Sequence, residues 1–243
     1  MTMIVAVRYF AGHRDITGKT EEQWELEEGA NLGVLWEQLI AHYPRLAGYS
    51  GRLLYAVNGE WGTLASELHD GDEVAFIPPV SGGTASDEGR RTKDEGQPAA
   101  LFRITRVPLD PAALVAAVQS PDMGAVVTFA GVVRNNFGGR ATAYLEYEAY
   151  EDMAVNVLEQ LAAEAQTQWN TGVIAIHHRI GRLEIGETAV LIVVAAPHRH
   201  EAFEAAEQIM DRIKEVAPIW KKEIWADGAS EWVGDEKERK QKV

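Results

Sequence analysis

Apolar and polar positions along this 243-residue chain fall into two successive blocks of pattern. Residues 3–9 alternate weakly and are rich in Val, Ile and Tyr, and residues 23–27 (QWELE) alternate clearly, so both predict strands. A helix follows: Asn31 can cap it, and Leu32, Leu35, Trp36, Leu39, Ile40 and Tyr43 recur at three- and four-residue spacing until Pro44 stops the pattern. Residues 53–57 predict a strand that ends in Asn58-Gly59, a tight-turn signal, and Asp70-Gly71 precedes a last strand at 73–77. From 84 to about 98 the periodicity disappears into TASDEGRRTKDEGQP.

The second block predicts a strand at 101–107, a helix at 111–118 with Pro111 in its first turn, and strands at 124–133 and 144–150. A long helix over 153–169 carries Val157, Leu158, Leu161 and Ala165 on one face, and strands follow at 173–180 and 188–196. A helix from about Glu201 to Val216 is expected to bury Phe203, Ala206, Met210, Ile213 and Ala217 before Pro218 ends it. Residues 219–233, with three tryptophans, predict a terminal hairpin, and DEKERKQKV a charged tail.

Two strands, a helix and two more strands predict a small ubiquitin-like β-grasp domain at 1–83. Helices and strands interspersed without regular βαβ repetition make the second half α+β, so the fold class is α+β with two domains. The charged, Gly/Ser/Pro-containing stretch 84–99 has the composition of a flexible linker, 100–234 forms the second domain and 235–243 the tail. Composition narrows the function. A hydrophobic content of 46% supports ordinary cores, and no apolar run approaches the roughly 20 residues of a membrane helix, so the expectation is a cytoplasmic protein with no membrane partner. A net charge of -14 disfavours nucleic acid as a partner. With no cysteine, the chain makes no disulfide or thiolate metal site, and any sulfur it handles is held in another chemical form.

That form is suggested by FIPPVSGG at 76–83, which ends the first domain on Gly82-Gly83. Glycine lacks Cβ, so such a tail can be threaded as bare backbone through a narrow channel. A freed Gly83 carboxyl becomes electrophilic on adenylation and can then be converted to a thiocarboxylate. In the second half, Pro197-His198-Arg199-His200 stands where an apolar strand meets a helix, and exposed amides there favour an anion. Arg199 could add a charge-assisted fork and His198 bind an anion or move a proton. A metal held by His198 and His200 lacks an evident third ligand. The segment 131–140 (GVVRNNFGGR) predicts a mobile loop with Arg134 and Arg140 able to close on an anion, or else an ordinary hairpin. Lys214 and Lys221 flank Pro218; Lys214 could act as acid, base or nucleophile, or simply pair with Asp211 one turn away.

FIPPVSGG, VRYFAGHRDITG at 7–18 and VNGE at 57–60 resemble the small subunit of the molybdopterin synthase family, the MoaD-like sulfur carrier. GVVRN, HHRIG at 177–181, APHRHEAFEAAEQIMDRIK and APIWKKE resemble, in order, the family's MoaE-like large subunit. The resemblance implies a fused enzyme that transfers sulfur from a Gly83 thiocarboxylate to cyclic pyranopterin monophosphate, building the molybdopterin dithiolene. It implies catalytic roles for Lys214 and Lys221, and substrate binding by Arg134, His198, Arg199, Lys221, Lys222 and Glu223. It further implies no bound metal or cofactor, a MoeB-like adenylating enzyme and a sulfur donor as partners, and a homodimer through the MoaE-like domain. Val132 departs from the family pattern, in which a basic residue can stand. The competing expectation is a ubiquitin-like modifier or carrier module fused to a non-catalytic pterin-binding scaffold.

Overall fold

The computed structural model describes residues 1–78 and 100–233, in two compact units. Gly83, residues 84–99 and the tail from 235 lie outside the described residues.

The first unit runs β1 (Thr2–Arg8), α1 (Ala11–Thr17), β2 (Glu21–Glu27), α2 (Leu32–His42), a 3-10 turn (Pro44–Tyr49), β3 (Leu54–Val57), β4 (Glu60–Gly62) and β5 (Glu73–Ile77). One sheet of order β2-β1-β5-β3-β4 results, with β1 and β5 parallel and the other pairs antiparallel. The Asn31 side chain accepts from the Val34 amide at 3.0 Å, capping α2 as expected. Leu32, Leu35, Trp36 and Leu39 turn its apolar stripe onto Val5, Val7, Leu26, Val74 and Phe76 of the sheet. At Asn58-Gly59 both residues have positive φ (53° and 77°), the backbone a two-residue hairpin requires. Helix α1, the 3-10 turn and β4 carry no apolar periodicity and escape sequence reading. Helix α1 buries His13, whose Nδ1 donates to the Phe76 carbonyl at 2.9 Å while its ring meets Tyr49 edge-on.

The second unit contains β6 (Phe102–Thr105), α3 (Pro111–Val118), β7 (Ala125–Val132), β8 (Asn136–Phe137), β9 (Arg140–Ala149), α4 (Glu151–Trp169), β10 (Ile174–Arg179), β11 (Gly181–Glu184), β12 (Thr188–Ala196), α5 (Arg199–Val216), β13 (Ile219–Trp225) and β14 (Ser230–Val233). One sheet has the order β6-β10-β12-β7; in the other β11-β9-β13-β14 are neighbours and β8 pairs with β9. Leu191, Val193 and Ala195 of β12 pack with Leu114 and Val118 of α3. Side chains alternate along a strand, so the intervening residues face the opposite layer, where α5 lies against β12 and β7 and α4 against β10 and β6. This double coverage explains the uninterrupted apolar run of β12.

Two expectations need correction. Phe203 is 61% exposed; α5 instead buries Ala202, Ala205, Ala206, Ile209, Ile213 and Val216. Small alanines let the helix approach the sheet closely, and at 100° per residue the ring at 203 is carried out of that contact. The segment 131–140 is also no open loop: β8 and β9 pair directly through a Gly138-Gly139 turn, both at positive φ.

Candidate functional site

Phe137 gathers the first cluster. Arg134 lies between the end of β7 and the β8–β9 hairpin, with its guanidinium carbon 6.0 Å from the Phe137 ring centroid. Lys221 Nζ lies 5.5 Å from the same ring. The electron-rich ring face attracts both cations, so a pair of positive charges separated by 87 positions in sequence is held on one aromatic platform, an arrangement suited to an anion.

Strand β13 carries Lys221 rigidly, because it is paired on both sides: Lys221 lies opposite Tyr147 of β9 and Val233 of β14. Its Nζ stands 3.9 Å from Glu223 Oε2. Glu223, two residues on and therefore on the same face, is only 3% exposed, and Thr142 Oγ1 donates to its Oε1 at 2.5 Å. Lys222 projects from the opposite face and lies over the Trp232 ring at 5.2 Å. The segment 221–223 is thus divided between two faces.

The second cluster is spread along α5. His198 is its N-cap residue, with extended backbone and no side-chain cap, and His198, Arg199 and His200 are all exposed. The free amides of this helix start favour an anion. Gly124, just before β7, is required here: a Cβ would stand 2.7 Å from the Pro197 carbonyl oxygen at the entry to α5. His200 already belongs to the helix and faces Glu204 at 3.8 Å, so His198 and His200 do not lie on one face of a continuing strand, the arrangement in which the two could share a metal.

Lys214 occupies the last turn of α5, half-buried, with Nζ 3.7 Å from Asp211 Oδ1. Only Ala217 and Pro218 separate α5 from β13, so Lys214 and Lys221 leave the same end of the helix. Arg199 sits at the other end, about 22 Å away along the axis at 1.5 Å per residue. One chain therefore brings Arg134, Lys221 and Glu223 together, but keeps His198 and Arg199 apart from Lys214.

Arg140 is committed elsewhere. It donates to Asp227 at 2.7 Å and stacks 4.5 Å over Trp225, clamping the hairpin to the far end of β13. Val132 is 48% exposed on β7 and supplies no charge. Against Tyr147, the residue opposite Lys221, the ring of His178 is buried, which pushes it down to about 4, an effect only partly offset by its bond to the Arg179 carbonyl, so it is neutral there. Thr142 and Phe137 were missed as site residues. A Gly/Asn-rich segment containing an aromatic between two arginines was a usable signal for Phe137; nothing local marks Thr142, whose partner lies 81 residues away.

A family model described as MoaE protein matches residues 104–216, and one described as the ThiS family matches residues 7–83. The molybdopterin synthase catalytic subunit of Bacillus subtilis is 49% identical over 137 residues, covering 56% of this chain and 87% of that protein. The chain belongs to the molybdopterin synthase catalytic subunit family. The catalytic subunit of Staphylococcus carnosus is 52% identical over 118 residues, covering 49% of this chain and 78% of its own. The crystal structure of molybdopterin synthase from Staphylococcus aureus matches with a TM-score of 0.54 and 44% identity, covering 56% of this chain and 98% of that one. The ThiS-family match upstream of the catalytic-subunit match makes this family member a two-part chain.

Proposed function

We propose that the chain is a molybdopterin synthase of molybdenum cofactor biosynthesis in which donor and catalyst are encoded together. Residues 1–83 are the sulfur carrier, 84–99 the linker, 100–234 the catalytic domain and 235–243 a tail. Gly83, as a thiocarboxylate, delivers sulfur to cyclic pyranopterin monophosphate and reverts to a carboxylate. A dithiolene needs two sulfurs, so two charged tails act in succession at each site. Lys214 and Lys221 serve the transfer, Arg134, His198, Arg199 and Lys221 bind the precursor, and the buried Glu223 acts through Lys221 rather than on the precursor itself; Lys222, on the opposite face of β13 over Trp232, stands apart from this set. The observation that carries this reading is the meeting of Arg134 and Lys221 on Phe137 in a chain that is 49% identical to a catalytic subunit over 137 of its residues. The scaffold alternative is not favoured, since a mere binder needs no half-buried lysine paired with a buried carboxylate at the anion platform.

The separation of Arg199 from Lys214 supports a homodimer, in which a second copy supplies the helix start that one chain cannot. Strand β7 supports it too: it is the edge of its sheet and exposes Phe129 and Val132. The transient partners are a MoeB-like adenylating enzyme and a sulfur donor, and the reaction is cytoplasmic. Among the described residues no helix is long and apolar enough to cross a membrane.

In the uncut chain the Gly83 carbonyl is an amide with no carboxylate to adenylate, so cleavage after Gly83 precedes charging. Intact-mass analysis of active protein is expected to find a fragment ending at Gly83. Synthase activity from a chain that stays uncut throughout the assay would overturn this step. The reading as a whole is tested by mixing charged protein with cyclic pyranopterin monophosphate and following dithiolene product. Precursor binding without consumption of thiocarboxylate would favour the scaffold.

A further inference from the structure

We infer that Thr142 and Glu223 form a buried positioning pair for Lys221; the inference rests on the role assigned to that lysine above. A carboxylate as enclosed as Glu223 is stable only when both oxygens have partners. Its Oε1 receives the Thr142 hydroxyl at 2.5 Å and its Oε2 faces Lys221 Nζ at 3.9 Å. The hydroxyl bond orients the carboxylate plane, and the plane in turn aims Oε2 at the lysine.

The backbone is shaped to make this contact. Glu223 lies opposite Leu145 of β9 and Ile224 opposite Tyr144, but Trp225 lies opposite Thr142, because the pairing shifts between Ile224 and Trp225. In unbroken register Thr142 and Leu145, an odd number of residues apart, point to opposite faces of the sheet. The irregularity absorbs one residue, Ala143, and turns Thr142 onto the face of Glu223. On the same face Leu145 packs with Val133, Leu183 and Ala189, an apolar wall that keeps water from the carboxylate.

Lysine is a point charge on a flexible four-carbon stem, and an aromatic face alone attracts it without fixing its direction. Between the Phe137 ring and a carboxylate held by β13, the ammonium is confined to one region beside Arg134. Thr142 touches neither precursor nor tail in this scheme; it acts through Glu223, and Glu223 through Lys221.

The test is a double-mutant cycle on protein cleaved and charged at Gly83, read as the single-turnover rate of sulfur transfer to cyclic pyranopterin monophosphate. Thr142→Val removes the hydroxyl at nearly constant volume and takes the donor from Glu223 Oε1, and is expected to slow transfer about ten-fold and to lower Tm, with precursor affinity changed less than the rate, and Thr142→Ser to restore both rate and Tm. Glu223→Gln, which keeps shape and loses charge, is expected to give the same pattern. In a Lys221→Ala background, Thr142→Val is expected to slow transfer no further. Normal transfer by Thr142→Val, no rescue by Thr142→Ser, or an equal loss in both backgrounds would overturn the positioning pair and leave the role of Lys221 standing. Normal transfer by Lys221→Ala alone would overturn both. If Lys221→Ala is too slow to measure, rescue by Thr142→Ser decides the matter.

Discussion

The two units of this chain solve different problems with similar materials. In the first, polar groups taken out of water serve the fold. Glu22 accepts from Tyr9 at 3.1 Å, Tyr43 at 3.0 Å and Trp24 at 3.2 Å, and pairs with Lys19. Partial burial pushes its carboxyl up, but the bonds from Lys19, Tyr43, Tyr9 and Trp24 outweigh this and hold it below the usual range. The proposed chemistry of that unit lies beyond β5, in a tail the fold only has to present. In the second unit the buried carboxylate Glu223 reaches toward a half-buried lysine on the same strand, and the other candidate cations come from a strand end and from the two ends of α5. Carrier function thus depends on a short local motif, whereas the transfer site depends on tertiary assembly.

The largest expected effect tests that contrast directly. Lys214→Ala is expected to lower single-turnover transfer about a thousand-fold with an unchanged circular dichroism spectrum, and Lys221→Ala to act similarly but less severely. Glu22→Gln in the first unit is expected to lower Tm with little effect on transfer once Gly83 is charged. Normal transfer by Lys214→Ala would remove the lysine from the chemistry.

Acid is expected to weaken both units in one window. Burial pushes His13 and His178 from an ordinary value near 6.5 down to about 4, and His177 in the same direction. The unfolded chain takes up these protons near pH 6.5 and the folded chain resists until about pH 4. Their stabilisation is therefore complete above pH 6.5 and lost as pH falls through that interval, on the order of 3 kcal/mol for each of His13 and His178. Urea unfolding between pH 7 and 4, with His13→Gln and His178→Gln as controls, checks it; a flat profile in one unit would break the parallel.

Arg134→Ala, Arg199→Ala and His198→Ala are each expected to weaken precursor binding roughly ten-fold by calorimetry, with less effect on stability, since none contributes to a core. Equal affinity in all three would move the anion site elsewhere. The smallest effect belongs to the first unit: Asn31→Ala, which removes the α2 cap, is expected to cost about 1 kcal/mol in chemical denaturation and nothing in precursor affinity.

Much of the fold was legible because its signals are local. The Asn31 cap, the Asn58-Gly59 hairpin, the apolar run of β12 and the stop at Pro218 each act within a few residues. Helix α1 was not legible, since its seven residues (AGHRDIT) bury Ala11, Gly12 and His13 and show no apolar stripe. Phe203 misled because helical spacing alone does not tell which flank meets the sheet, and the first turns of α5 meet it with Ala202, Ala205 and Ala206. Arg140 misled for a similar reason: its partner Asp227 lies far along the chain.

The sequence by itself determined the order and kind of most elements, the glycine tail and the set of cations available for an anionic substrate, because turn chemistry, hydrophobic period and charge are written residue by residue. Tertiary structure alone decided that Arg134 and Lys221 share Phe137 and that Thr142 reaches Glu223 through a shifted register. Those relations depend on which strands pair and in which register. A shift of one residue reverses the face of a side chain, and the energy that selects one register comes from burial summed over the whole sheet, which no single segment records.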